Sequence, residues 1–277
     1  MIVSQAYVLV EQALEAYHSK RFADAAGLWA LAGKICVAEE QWVGAATCHL
    51  NRGNALANLR LFNEAIIEFD MAEPVFTNSN EQVGTASCQL SRGDAMANLG
   101  RFEDAIAGFN KAESVFAQFR LLNFVARSQL SRGDVLANLG RLEEAVADYE
   151  RAESSCSQSQ EWGYVARTQL NRGIALQKLG QYEEAIADYE RAEQNFADLG
   201  QRIGVAISQK NRGSALQNLG MHVEARYFYE LAEPILTYLN QFSELARYQL
   251  DLGVALQNLG QIGGRGAQPG YADNGSC

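Results

Sequence analysis

The stretch Asn171–Glu193 reads N-R-G-I-A-L-Q-K-L-G-Q-Y-E-E-A-I-A-D-Y-E-R-A-E, and its reading decides the fold. The same unit begins at Asn51, Ser91, Ser131 and Asn211, a period of 40 residues without slippage. A half copy begins at Asp251 and stops at Gly260. A diverged copy from Gln12 to Gly33 carries Ala25, Trp29 and Ala32 where a later copy carries Ala185, Tyr189 and Ala192. A fixed period of this size marks a stack of supersecondary units, each too small to bury its apolar face alone. The expectation is one elongated body over residues 1–260, built of six helix pairs and a terminal single helix, followed by a flexible Gly-rich tail over residues 261–277.

Each unit divides at Leu-Gly. Gly100, Gly140, Gly180 and Gly220 are placed to end one helix in the left-handed conformation. In the fourth full repeat the first helix is predicted from about Trp162 to Leu179 and the second from about Tyr182 to Ala197. At about 100° per residue, the first helix of the first full repeat is apolar nearly all round. One polar stripe remains, Thr47, Asn51, Asn54 and Asn58. A helix of that kind is covered on several sides, so the first helices should line an inner wall with the stripe as their route to water. The second helix is amphipathic: Tyr182, Ala185, Ile186, Tyr189, Ala192 and Phe196 face in, and Glu183, Glu184, Asp188, Glu190 and Arg191 face out.

The net charge of −10 argues against a partner that needs a cationic surface, so neither nucleic acid nor an anionic membrane is expected. No basic n-region opens the chain, and no stretch approaches the ~20 apolar residues of a membrane span, so a cytoplasmic location is expected. Cys48 and Cys88 fill a slot held later by Ser128, Thr168 and Ser208, which reads as small-residue packing rather than a disulfide. His18, His49 and His222 fall in different slots of different repeats. Phosphate-loop, His-Glu-x-x-His and Cys-x-x-Cys patterns are absent, so no cofactor, metal or catalytic residue is expected and the chain reads as non-enzymatic.

The spacing of Gly173, Leu176, Gly180, Tyr182, Ala185, Tyr189 and Ala192 resembles the tetratricopeptide repeat, over nearly the whole chain from Gln12 to Gly260. The unit is longer than the usual ~34 residues. In that it resembles the long-repeat subtype of kinesin light chains and Pins-type adaptors. The resemblance implies an all-α, right-handed superhelical solenoid of antiparallel helix pairs that binds peptide segments.

Three sets of residues follow. Glu73, Glu113, Glu153, Glu193 and Glu233 lie on the apolar face of the second helices, where a lone carboxylate is costly. Each is expected to pair with the arginine of its own repeat: Arg52, Arg92, Arg132, Arg172 and Arg212. The diverged copy has Gln12 and Gly33 in these slots and lacks both charges. At the other end, Tyr227, Phe228 and Leu231 on an outer face, and Leu252, Leu256 and Leu259 in the half repeat, suggest self-association and a homodimer through the C-terminal end.

The third set is the polar stripe, expected to bind an extended peptide across the third to fifth full repeats. Its residues are Asn51, Asn54, Asn58, Asp94, Asn98, Asp134, Asn138, Asn171, Asn211, Asn218 and Asn258, with Arg127, Arg167, Lys178, Lys210 and Arg247 adding positive charge. An asparagine amide both donates and accepts, so a ladder of them pairs with a peptide backbone whatever its side chains. The long-repeat relatives use groove asparagines in the same way, and the basic residues favour an acidic or mixed-charge ligand. The expected function is a scaffold or adaptor. The alternatives are a self-assembling structural scaffold and the sensor fragment of a protease or kinase system.

Overall fold

The computed structural model describes residues 5–238, and these form helices and tight turns with no strand. The chain divides into two compact units, Met1–Ser159 and Gln160–Cys277. The first holds α1 (Gln5–His18), α2 (Phe22–Ala38), α3 (Trp42–Asn58), α4 (Phe62–Asn78), α5 (Gln82–Asn98), α6 (Phe102–Gln118), α7 (Leu122–Asn138) and α8 (Leu142–Gln158). The second holds α9 (Trp162–Lys178), α10 (Tyr182–Asp198), α11 (Arg202–Asn218) and α12 (His222–Tyr238). Within each unit every helix packs on the next. The odd-numbered helices also touch one another, α3 with α5, α5 with α7, and α9 with α11. In each unit they make a wall that carries the polar stripe. This is an all-α, tetratricopeptide-like stack of antiparallel helix pairs.

The turns set the metronome. Between α5 and α6, Gly100 takes φ 76°, its N–H bonds the Ala97 carbonyl at 3.1 Å, and the Arg101 N–H reaches back to Met96 at 2.9 Å. This closure ends the helix and satisfies its last carbonyls. The same left-handed position recurs at Gly140, Gly180, Gly200 and Gly220, but also at Lys20, Glu40, Arg60, Asn80 and Arg120, with φ between 55° and 63°. A side chain there costs about 1 kcal/mol. The three-residue turn is therefore kept even where the sequence lacks glycine, and the regular spacing of the helices follows from it.

Each helix pair interlocks in the same register, residue n against residue n+16. Trp29, Phe69, Phe109, Tyr149, Tyr189 and Tyr229 fill one buried slot. In the full repeats a glycine lies under the ring: a Cβ on Gly53 would sit 2.4 Å from Phe69, and one on Gly173 would sit 2.7 Å from Tyr189. Alanines flank the ring on both sides, Ala65 and Ala72, Ala145 and Ala152, Ala185 and Ala192, all fully buried. Small residues let the backbones approach; the ring fills the space that remains.

That register corrects the expected ion pairs. Arg132 bonds Glu113 at 2.5 Å, Arg92 bonds Glu73 at 2.6 Å, and Arg212 lies 3.7 Å from Glu193. Each of these glutamates belongs to the preceding repeat, not to the arginine's own. The reason is that an even-numbered helix is flanked by two odd ones, and its glutamate slot faces the following one. Gln89, Gln129 and Gln209 donate to the same three carboxylates at 2.9, 2.7 and 2.8 Å. The glutamates are half-buried rather than sealed.

The sealed acid lies on the other flank. Arg132 makes a two-pronged bond to Asp148 at 2.6 and 2.8 Å, and Arg172 to Asp188 at 2.7 and 2.8 Å. Asp148 and Asp188 are each 1% exposed and also receive Arg151 and Arg191. Asp188 therefore does not face out. A helical wheel of α10 alone cannot show this, because the covering group comes from α9 at the n/n+16 register. Where the same slot holds Gly108, Arg92 keeps only its contacts on the preceding repeat, Asp70 and Glu73. Where it holds Phe228, the Arg212 guanidinium stacks 4.2 Å over the ring. Phe228 is thus half-buried against its own repeat, and of the three residues proposed for the outer face only Tyr227 and Leu231 are exposed. Leu252, Leu256, Leu259, Arg247 and Asn258 lie outside the described residues.

Candidate functional site

In the first unit, α3, α5 and α7 bring their polar stripes side by side. Between them and the end of α1 lies a cavity of about 240 Å³ lined by Tyr17, Asn54, Asn58, Phe62, Ser91, Asp94, Asn98 and Arg127, with Ala57 and Ala95. Asn58 donates to the Tyr17 hydroxyl at 3.0 Å and to the Asn54 carbonyl at 2.8 Å. Asn98 donates to the Asp94 carbonyl at 2.8 Å. Arg127, from the next repeat, donates to the Asp94 carboxylate at 2.7 Å. The structure thus gathers Asn54, Asn58, Asp94, Asn98 and Arg127 at one place.

The last-slot asparagines have a local use as well. Asn58, Asn98 and, in the second unit, Asn218 each donate to the carbonyl four residues earlier. These bonds help close the helix end. At Asn98 and Asn218 they employ one amide N–H and leave a second N–H and the acceptor oxygen for a ligand, whereas Asn58 donates to both Tyr17 and Asn54 and offers its oxygen. Asp134 accepts a hydrogen bond from the Tyr149 hydroxyl at 2.9 Å, so it also supports the aromatic slot. Asn51 is partly buried, and Asn138 is exposed at the end of α7.

In the second unit the stripe is built differently. Gln177 accepts from the Tyr189 hydroxyl at 2.8 Å and donates to Ser214 of α11 at 3.0 Å, tying the two odd helices together. Tyr229 repeats the first of these bonds with Gln217 at 3.0 Å. Arg167 and Lys178 are exposed, and Asn171 and Asn211 are partly buried. Lys210 is not a groove residue: it is 4% exposed and fills the slot of Leu50, Leu90, Leu130 and Leu170. Its neighbour Asn211 holds the stripe, and one residue along a helix is about 100° away.

Tyr17 and Gln177 escaped the sequence reading. Both stand in the slot held by Ala57, Ala97 and Ala137, and a large polar side chain at an alanine slot was the available signal. Cys48 and Cys88 are buried thiols held protonated. Burial pushes Cys48 up to about 12, helped by neighbouring Cys36, and burial with the nearby Glu73 charge does the same to Cys88. A thiol held protonated at neutral pH is a poor nucleophile. Among the described residues no helix is long and apolar enough to cross a membrane.

Comparison with known proteins agrees with this architecture. Family models for the tetratricopeptide repeat match residues 90–159 and 164–238, together just over half of the chain. No curated protein matches the chain. Among solved structures it is similar to the apo form of RapI, with a TM-score of 0.68 at 14% identity over 93% of this chain and 99% of that one. It is similar to the nearly identical TPR-like repeats of a kinesin light chain from Podosopora anserina, with a TM-score of 0.57 at 18% identity over 69% of this chain and 94% of that one. It is similar, too, to YrrB, described as a TPR protein with an unusual peptide-binding site, with a TM-score of 0.52 at 17% identity over 73% and 91% of the two chains. From the repeat period, the glycine-aromatic interlock and the matching family models, the chain belongs to the tetratricopeptide repeat family, in its long-repeat form.

Proposed function

We propose that the chain is a non-enzymatic adaptor that holds an extended peptide against the polar wall of its odd-numbered helices. The observation that carries this reading is the cavity of Asn54, Asn58, Asp94, Asn98 and Arg127, where amide groups of successive repeats converge on one open space. A wall that needed only to be wet could use lysine or glutamate, which favour helices more than asparagine does. The peptide-binding description of YrrB is consistent with such a use of the fold. Because Asp94 already engages Arg127, the cavity favours a ligand of mixed charge that pairs chiefly through its backbone. The test is to select peptides from a random library on the full chain and map the tightest one by NMR. Shifts should gather on the side-chain amides of Asn54, Asn58 and Asn98. Shifts confined to the even-numbered helices would refute the placement.

A second reading is self-association through α12. Val223, Tyr227 and Leu231 recur every four residues on its surface at 67%, 57% and 38% exposure. Such a stripe suits a second copy of the chain. Light scattering at high micromolar concentration should then show a dimer that Tyr227→Ser dissolves, and a monomer throughout would remove this reading.

A further inference from the structure

Two thiols meet at the first junction, between α2 and α3. Cys36 of α2 is 4% exposed, Cys48 of α3 is 3% exposed, and both belong to one core cluster. A Cβ at Gly33, one turn before Cys36, would lie 3.3 Å from the Cys48 Cβ. A Cβ at Gly44, one turn before Cys48, would lie 3.3 Å from the Cys36 Sγ. Helical side chains lean towards the start of their own helix. In an antiparallel pair held at this level the two thiols therefore lean towards each other, and they share a hydrogen bond. The later junctions among the described residues do not repeat the arrangement: the same two slots hold Phe76 with Cys88, Phe116 with Ser128, Cys156 with Thr168 and Phe196 with Ser208. Residue 33 is glycine where later repeats carry Glu73, Glu113, Glu153 and Glu193. Beside it lies a cavity of about 250 Å³ lined by Gly33, Lys34, Cys48, His49 and Arg52, which brings a small solute to Cys48.

The geometry points to Cys36 and Cys48 as a redox pair, a modification site at which a small hydroperoxide closes an intramolecular disulfide between α2 and α3. The Cys48 thiolate attacks one peroxide oxygen. The O–O bond breaks, and the departing oxygen takes up the proton that the thiol lost and leaves as alcohol or water. Cys36 then attacks the sulfenic acid on Cys48: the S–S bond forms, the S–O bond breaks, and water leaves with the Cys36 proton. The two thiols give up two electrons and one hydroperoxide accepts them. Burial, with Cys36 beside it, holds the Cys48 thiol up at about 12. Thiolate is scarce at neutral pH, so the reaction is slow there and quickens as the pH rises. The site shares no residue with the cavity on the polar wall and stands independently of the peptide-binding reading.

The experiment exposes the reduced, folded full chain to hydrogen peroxide over a series of pH values, then unfolds it in iodoacetamide and digests it with trypsin. Both cysteines fall in one peptide, Ile35–Arg52, which has no internal lysine or arginine. That peptide should lose two hydrogens and both alkylation sites, faster at higher pH, and dithiothreitol should restore them. Cys88 is the matched control. It is buried and held at about 12 like Cys48, but Phe76 stands where its partner would be. Its peptide, Leu61–Arg92, should remain alkylated after the same exposure. Cys48→Ser places in that slot the residue found at Ser128 and Ser208, so the variant should melt like the parent chain while Cys36 stays alkylated. Full alkylation of Ile35–Arg52 in the oxidised parent chain would overturn the inference. So would its linkage to a different cysteine peptide, or loss of Cys88 as fast as the pair.

Discussion

A single buried carboxylate decides how much one residue matters here. Asp148 is 1% exposed, and Arg132 above it is 6% exposed and also bonds Glu113. Burial works against the guanidinium's charge, but hydrogen bonds and attraction to Asp148 and Glu113 outweigh it and raise its pKa further, so the arginine stays charged. Removing the acid takes away its two-pronged partner and leaves only the half-buried Glu113 against the charge. Asp148→Ala should destabilise the chain by about 3 kcal/mol in urea unfolding, and Glu113→Ala, at a half-buried carboxylate, by clearly less. Equal effects would mean that the two flanks are equivalent. Cys48 and Cys88 give a pH signature. Their folded pKa values stand at about 12, above the ordinary thiol value, so the unfolded chain loses these protons first. The stability they contribute is full below the unfolded thiol pKa and is lost as the pH rises towards 12. The melting temperature should fall across that alkaline range, and the double change of Cys48→Ala with Cys88→Ala should flatten the fall.

Helices and turns are where the sequence was most legible. The glycine at the end of each Leu-Gly and the apolar spacing place α9 and α10 within a residue of their observed ends, Trp162–Lys178 and Tyr182–Asp198. Which acid meets which arginine was not legible. A helical wheel describes one helix, whereas Asp188 is covered by α9 and Glu113 by α7. Lys210 misled for a related reason: a charged residue next to Asn211 looked like part of its stripe, but its slot is the buried one of Leu170. Two substitutions test the interlock and the turn separately. Gly173→Ala drives a methyl to 2.7 Å from the Tyr189 ring and should cost about 1–3 kcal/mol. Arg120→Gly relieves a left-handed residue at φ 55° and should gain up to about 1 kcal/mol, the reverse of Gly180→Ala at φ 80°. Thermal denaturation of the three variants decides both points.

At the scale of the molecule, repetition turns one local arrangement into a surface. Within each unit the repeats present their stripes side by side, because the turns between their helices share the same three-residue closure. The stripe was legible in the sequence as the one polar row on an otherwise apolar helix. The cavity within it was not, because Tyr17 comes from the diverged copy and Arg127 crosses to Asp94 of the repeat before. The central claim is that this wall binds peptide backbone through its asparagines. The most direct measurement is the affinity of a library-selected peptide for the full chain and for Asn58→Ala combined with Asn98→Ala, with the melting temperature recorded alongside. A loss of at least about tenfold, or 1.4 kcal/mol, with melting nearly unchanged is the predicted result. Unchanged affinity in a folded double variant would contradict it.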